Sequence, residues 1–162
     1  NFSRADLVCS RDVVEALKSG KITAYVTDFA TDEVLGEDGV IALPHLGAST
    51  PESEDNCACM AADELIDYLE NGNITNSVNF PNIAMPRESG YRLAIANANV
   101  PNMLGQISTA LASAGLNIQN MVNKSRGDFA FTLVDVESAV SQAVIDQLTA
   151  INGVLRVRYL HA

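Results

Sequence analysis

Tryptophan is absent from the chain, aromatic residues supply only 6% of it, and basic residues number 10 against 20 acidic ones. The net charge of −10 repels phosphate backbones and anionic headgroups, so nucleic acid and membrane surfaces are excluded as expected partners. No apolar run approaches the ~20 residues of a membrane span, and the amino-terminal "NFSRADLVCSRDV" lacks the charged-then-apolar layout of a secretory leader. The expectation is a soluble, cytoplasmic protein. Three cysteines make an odd total, and Cys57 and Cys59 stand two apart in a segment of helical pattern, facing different sides, so no disulfide framework is expected. No metal site is expected either. His45 and His161 lie far apart, and Cys-x-Cys lacks the two-residue gap of the common zinc motifs. No G-x-G-x-x-G opens a helix, so a complete dinucleotide-binding unit is not encoded in these residues.

What is present is a globular composition, 48% apolar over 162 residues. The first half mixes helix and strand. "RDVVEALKSG" reads as a short helix stopped by Gly20, and "ITAYVTDF" and "GVIALPH" read as buried parallel strands. "STPESEDNCACMAADELIDYLENG" reads as a helix of about twenty residues, capped by Ser49 or Thr50, with Pro51 in its first turn and Gly72 closing it. "GNITNSVNFPNIAMPRESG" has no sustained period and reads as a linker, with a domain boundary near Ala84. From Tyr91 the order is strand, helix, strand, strand, helix, strand, the ferredoxin-like βαββαβ arrangement. The fold class expected is therefore α/β: a partial Rossmann-like nucleotide-binding segment with a long helix (1–83), then a ferredoxin-like domain (84–162). Two strands cannot form a doubly wound sheet, and the chain starts at Asn1 rather than Met, so the expectation is a fragment whose nucleotide-binding part continues upstream.

Taken on their residue types alone, Asp32 and Glu33 are a solvated turn pair, Asp28 ends a strand, Arg4 is a surface cation, and His45 is a loop histidine before a helix cap. The run "NFSRADLV…ALKSGKITAYVTDFATDE…GVIALPHLGASTPESEDN", with "SVNFP" after it, resembles the carboxyl-terminal part of the D-isomer-specific 2-hydroxyacid dehydrogenases, most closely those that oxidise phosphoglycerate. "NANVPNMLGQISTALASAGLNIQNMVNKSRGDFAFTLVDV" resembles the ACT regulatory domain that many of them carry. The resemblance implies NAD as cofactor and oxidation of 3-phospho-D-glycerate to 3-phosphohydroxypyruvate, the first step toward L-serine. It places the substrate-carboxylate anchor on Arg4, the nicotinamide-side aspartate on Asp28, the histidine-supporting glutamate on Glu33 and the catalytic histidine on His45. Alcohol oxidation removes a hydride and a proton, so a base must meet the hydroxyl while a cation holds the carboxylate. Ala5, Asp6 and Thr27 depart from the usual pattern, as does the lack of a proline after Glu33.

For the second half, the resemblance implies an amino-acid effector, L-serine, held between two domains paired side by side by Asn97, Asn99 and Asn117, and a homo-oligomer built through that pairing. Amide groups can donate to a carboxylate and accept from an ammonium. Here Asn97 replaces a histidine and Asn102 a glycine of the serine-responsive members. Two alternatives stay open: a dehydrogenase for another D-2-hydroxy acid, and a non-catalytic amino-acid-binding ACT module. The 162-residue chain by itself is expected to show no turnover.

Overall fold

The computed structural model describes residues 1–161. Two compact units divide the chain, Asn1–Asn56 and Cys57–Ala162. In the first, helix α1 (Ser10–Lys18) buries Val13 and is followed by two three-residue strands, β1 (Tyr25–Thr27) and β2 (Val40–Ala42). The strands pair in parallel, Tyr25 opposite Val40 and Thr27 opposite Ala42, as their unalternating β-branched sequences require. The amide of Leu43 continues the ladder onto Thr27 O at 2.9 Å, and the amino group of Asn1 donates to Val26 O on β1. Among the described residues this sheet has two strands. The expected Rossmann-like segment is thus represented by one parallel pair only. Ile41 on its second strand and Leu43 just after it stay about half exposed, because among the described residues no layer covers their side chains.

Helix α2 (Pro51–Asn71) begins in the first unit and ends in the second. The hydroxyl of Thr50 accepts the Ser53 amide at 3.2 Å, which selects Thr50 over Ser49 as the cap. Its end is closed by Gly72 at φ +74°, and a Cβ there would meet Ala94, Leu133 and Leu160 side chains at 3.1 Å. Cys57 and Cys59 are both exposed free thiols on this helix. No helix of the described residues is long and apolar enough to cross a membrane.

The second unit is a four-stranded antiparallel sheet of order β4-β5-β3-β6, built from β3 (Tyr91–Ala98), β4 (Ile118–Arg126), β5 (Phe129–Val136) and β6 (Val154–His161). Helices α3 (Met103–Ser113) and α4 (Gln142–Thr149) complete the βαββαβ order, so the ferredoxin-like fold expected from Tyr91 onward is present. Leu93, Ile95, Val134, Ile107, Leu111 and Leu148 form the core between the sheet and these helices.

The opposite face is covered too. Ile74, Ile83 and Met85 are buried there against Ala94, Phe131, Leu133 and Leu160. The stretch expected to be a linker is therefore a closed loop, pinned by reciprocal Ile74–Ile83 backbone bonds of 2.8 and 2.9 Å, and the second compact unit extends well upstream of Ala84. This explains why β3 and β5 are buried almost without alternation. Central strands covered on both faces are apolar on both.

A lone charge sits in each of these strands. Arg92 and Asp135 are cross-strand partners, both fully buried. Nε and Nη2 of Arg92 donate to the two carboxylate oxygens at 2.6 and 2.8 Å, and the remaining donors reach the carbonyls of Asn71, Met85 and Pro86 at 3.0, 2.8 and 2.7 Å. All five guanidinium N–H groups are thereby satisfied. The last four carbonyls of a helix have no intrahelical partner. At the end of α2, Arg158 takes Tyr68 and Leu69, Arg87 takes Glu70 and Arg92 takes Asn71. Three cations meet the negative end of the helix dipole, which fixes that end of α2 on the sheet.

Candidate functional site

The candidate catalytic residues gather where β1 ends. Thr27 is fully buried and its hydroxyl accepts the Phe29 amide at 3.0 Å, turning the chain sharply so that Asp28 and Phe29 project from the strand terminus. The run leaving β2 passes the same place. It brings His45 Nδ1 to 2.8 Å from Asp28 Oδ2, and the imidazole lies against the Phe29 ring with centroids 4.1 Å apart. The Arg4 guanidinium lies 5.7 Å from the centroid of that same ring. Arg4, Asp28 and His45, far apart in sequence, thus converge around Phe29.

The electrostatics are uneven. The His45 side chain is 48% exposed, whereas that of Asp28 is 9% exposed. Oδ1 of Asp28 is buried and has no hydrogen-bond partner among the described residues. A buried acceptor without a donor is costly, and a neutral N–H placed there would relieve it.

Glu33, expected to support the histidine, is placed elsewhere. The turn after Phe29 closes through Val34 and Leu35 amides on Thr31 O, burying Val34 and turning Glu33 to solvent beside Arg11 and Val14. Glu33 makes no hydrogen bond or ion pair among the described residues, and the carboxylate on His45 is that of Asp28. Phe29 was not singled out by sequence reading. Its one sequence signal was its position directly after Asp28 in "TDFA"; its contact with His45 shows only in the fold.

The three asparagines of the second unit are not brought together within one chain. Asn97 is 1% exposed, donates to Ala98 O at 2.8 Å and accepts from Thr132, which in turn accepts from Asn123. That side chain is built into the sheet. Asn99 is exposed and ties the end of β3 to the β4–β5 turn through Gly127 O at 3.0 Å. Asn117 precedes β4 and donates to Glu137 at the opposite end of the sheet. β3 and β4 each run antiparallel to β5, with Asn97 opposite Ala130 and Ile118 opposite Val136. With Asn117 opposite Glu137, seven residues along β5 from Ala130, Asn117 and Asn97 stand roughly 20 Å or more apart. Asn102 holds φ +64°, the left-handed turn where a glycine was expected. Among the described residues no group of three or more His, Cys, Asp or Glu could hold a metal ion.

No family model matches the chain. Among curated proteins, it is 29% identical over 173 residues to the D-3-phosphoglycerate dehydrogenase of Haemophilus influenzae, covering 99% of this chain and 42% of that protein. The Escherichia coli K12 enzyme of the same name is 28% identical over 174 residues with the same coverage. D-3-phosphoglycerate dehydrogenase 1 of Saccharomyces cerevisiae is 26% identical over 189 residues, with 99% of this chain and 40% of that protein covered. The chain spans less than half the length of these relatives. Among solved structures, the ACT domain from the GTP pyrophosphokinase of Chlorobium tepidum aligns with a TM-score of 0.39 at 18% identity, covering 43% of this chain and 95% of that one. The regulatory subunit of aspartate kinase from Thermus thermophilus aligns at 0.38 and 12%, covering 44% and 50%. Across nearly its whole length the chain is similar to the carboxyl-terminal part of D-3-phosphoglycerate dehydrogenases.

Proposed function

We propose that this chain is the carboxyl-terminal part of an NAD-dependent, cytoplasmic, homo-oligomeric dehydrogenase that oxidises 3-phospho-D-glycerate toward L-serine, with a regulatory ACT domain in its second unit. The observation that supports it most is the His45–Asp28 pair in a chain similar over 99% of its length to such enzymes. With Nδ1 held at 2.8 Å by Asp28, the imidazole keeps Nε2 for a substrate hydroxyl. His45 takes the hydroxyl proton on Nε2 in oxidation and returns it in reduction. Arg4 holds the substrate carboxylate, and Phe29 keeps the imidazole and guanidinium in fixed relation. NAD, when bound, supplies the acceptor for the substrate hydride. The unpartnered Oδ1 of Asp28 suits the amide N–H of a carboxamide, so one carboxylate both orients the base and holds the nicotinamide. Glu33 stands in this reading as a residue of the neighbouring turn.

In the second unit, L-serine would be bound between two copies. Asn117 lies at the opposite end of the sheet from Asn99, so pairing through exposed sheet edges in antiparallel sense is what would join them in one site. Asn99 and Asn117 are exposed and suit the task better than Asn97, whose amide is buried.

The test is a steady-state assay of the complete reading frame that carries this chain, with NAD and a panel of D-2-hydroxy acids. Oxidation of 3-phospho-D-glycerate with kcat/KM well above that of lactate, malate and unphosphorylated glycerate supports the reading. Preference for another acid moves the assignment to a related dehydrogenase, and no oxidation of any acid leaves the amino-acid-binding module.

A further inference from the structure

The face of the sheet away from α3 and α4 is not evenly filled by the loop that covers it. Strand register sets Phe131, Ala96 and Arg156 in one row across β5, β3 and β6, and Leu133, Ala94 and Arg158 in the next. The middle position of each row is an alanine. Two methyl groups between larger neighbours leave a hollow of about 450 Å³, walled by Tyr68, Ile74, Phe80 and Phe131 and open toward Arg156. That volume lies within the range of small-molecule sites. Phe80 meets Phe131 edge-on at 5.7 Å, so the aromatic wall is braced.

The two arginines at the mouth differ. Arg158 is committed: it donates to Tyr68 O and Leu69 O at 3.0 Å and stacks on the Tyr68 ring at 4.5 Å. Arg156 is exposed and makes no hydrogen bond or ion pair among the described residues, although the chain carries a net charge of −10. A free guanidinium beside an apolar hollow selects one kind of ligand. Its planar donors match a carboxylate, and the other polar groups of the lining are already engaged, Ser77 with Asn79 and the Phe80 amide and Arg158 with the end of α2.

We propose that this hollow is a second ligand site, for a small molecule with an apolar body and one terminal carboxylate. The body lies over Ala96 against Phe131 and Phe80, and the carboxylate meets Arg156. The site is formed within one chain, on the face opposite the helices. It is separate from the His45–Asp28 centre and depends on neither the catalytic nor the serine reading.

Calorimetric titration of the chain with hydrocinnamate tests it, with hydrocinnamide, acetate and L-serine as comparisons. Saturable hydrocinnamate binding is expected, about tenfold weaker for the uncharged amide and undetectable for acetate, which lacks the apolar body. Arg156→Gln should weaken hydrocinnamate about tenfold while Arg156→Lys retains part of the affinity, and Ala96→Leu should abolish binding by filling the hollow. Both positions are at least partly exposed, so folding is retained, which far-UV circular dichroism checks. Absence of saturable binding by the folded wild type, or binding left unchanged by both Arg156→Gln and Ala96→Leu, overturns the proposal. Displacement of hydrocinnamate by L-serine would overturn its independence from an amino-acid site.

Discussion

Replacing Asp135 by asparagine keeps the shape of the side chain and removes its charge. Arg92 is fully buried, its five donors are all used, and two of them end on the carboxylate oxygens at 2.6 and 2.8 Å. Asparagine offers one oxygen in place of two, and its NH₂ group faces a guanidinium donor. One N–H is then orphaned. The guanidinium stays charged because arginine does not deprotonate in proteins. Breaking one side of a buried pair costs about 3–5 kcal/mol, a large share of the ~5–15 kcal/mol that holds a domain folded. Urea unfolding is the assay, followed by tyrosine fluorescence, since tryptophan is absent and Tyr68, Tyr91 and Tyr159 all lie in the second unit. With a slope of roughly 2 kcal/mol/M, the midpoint should fall by about 1.5–2.5 M. The double variant Arg92→Met/Asp135→Leu should recover part of the loss, because neither charge is left alone. A loss below ~1 kcal/mol for Asp135→Asn, with unchanged slope, would refute the reasoning.

Gly72→Ala should cost about 2–4 kcal/mol in the same assay, from left-handed strain and the 3.1 Å contacts its Cβ would make with Ala94, Leu133 and Leu160. Arg158→Gln should cost about 2 kcal/mol by freeing the Leu69 carbonyl, leaving Tyr68 O to the Gly72 amide alone and ending the stacking on Tyr68, with amide exchange accelerated in the last turn of α2. L-serine titrated into the chain should bind only in samples that sedimentation shows to be paired. Asn99→Ala and Asn117→Ala should each abolish that binding, whereas binding by a monomer would contradict a site shared between copies.

The second half was legible because its signals are local. Alternating strand and helix periods from Tyr91 onward, with turn residues between them, give βαββαβ order directly. The covering loop was not legible, since "GNITNSVNFPNIAMP" has no period and its apolar residues find partners only across the sheet. Lone charges in "YRLAIANA" and "FAFTLVDV" were the visible trace of the Arg92–Asp135 pair, but only strand register shows that they oppose each other. At the candidate site, residue types alone read as surface and turn positions and only the family resemblance pointed to Arg4, Asp28, Glu33 and His45, while the carboxylate that meets the histidine depends on the turn that buries Val34 and carries Glu33 outward.

The central claim is that His45, held by Asp28, is the acid/base group of a D-2-hydroxyacid oxidation. The most direct measurement compares kcat and KM for His45→Ala, Asp28→Asn and Glu33→Gln in the complete reading frame, using 3-phospho-D-glycerate and NAD. The expected result is a fall in kcat of ~10²–10⁴-fold for His45→Ala. Asp28→Asn should lower kcat and raise the KM for NAD, and Glu33→Gln should stay within a few-fold of wild type. Full activity in His45→Ala would contradict the assignment of the base, and a larger kcat loss in Glu33→Gln than in Asp28→Asn would contradict the assignment of its partner.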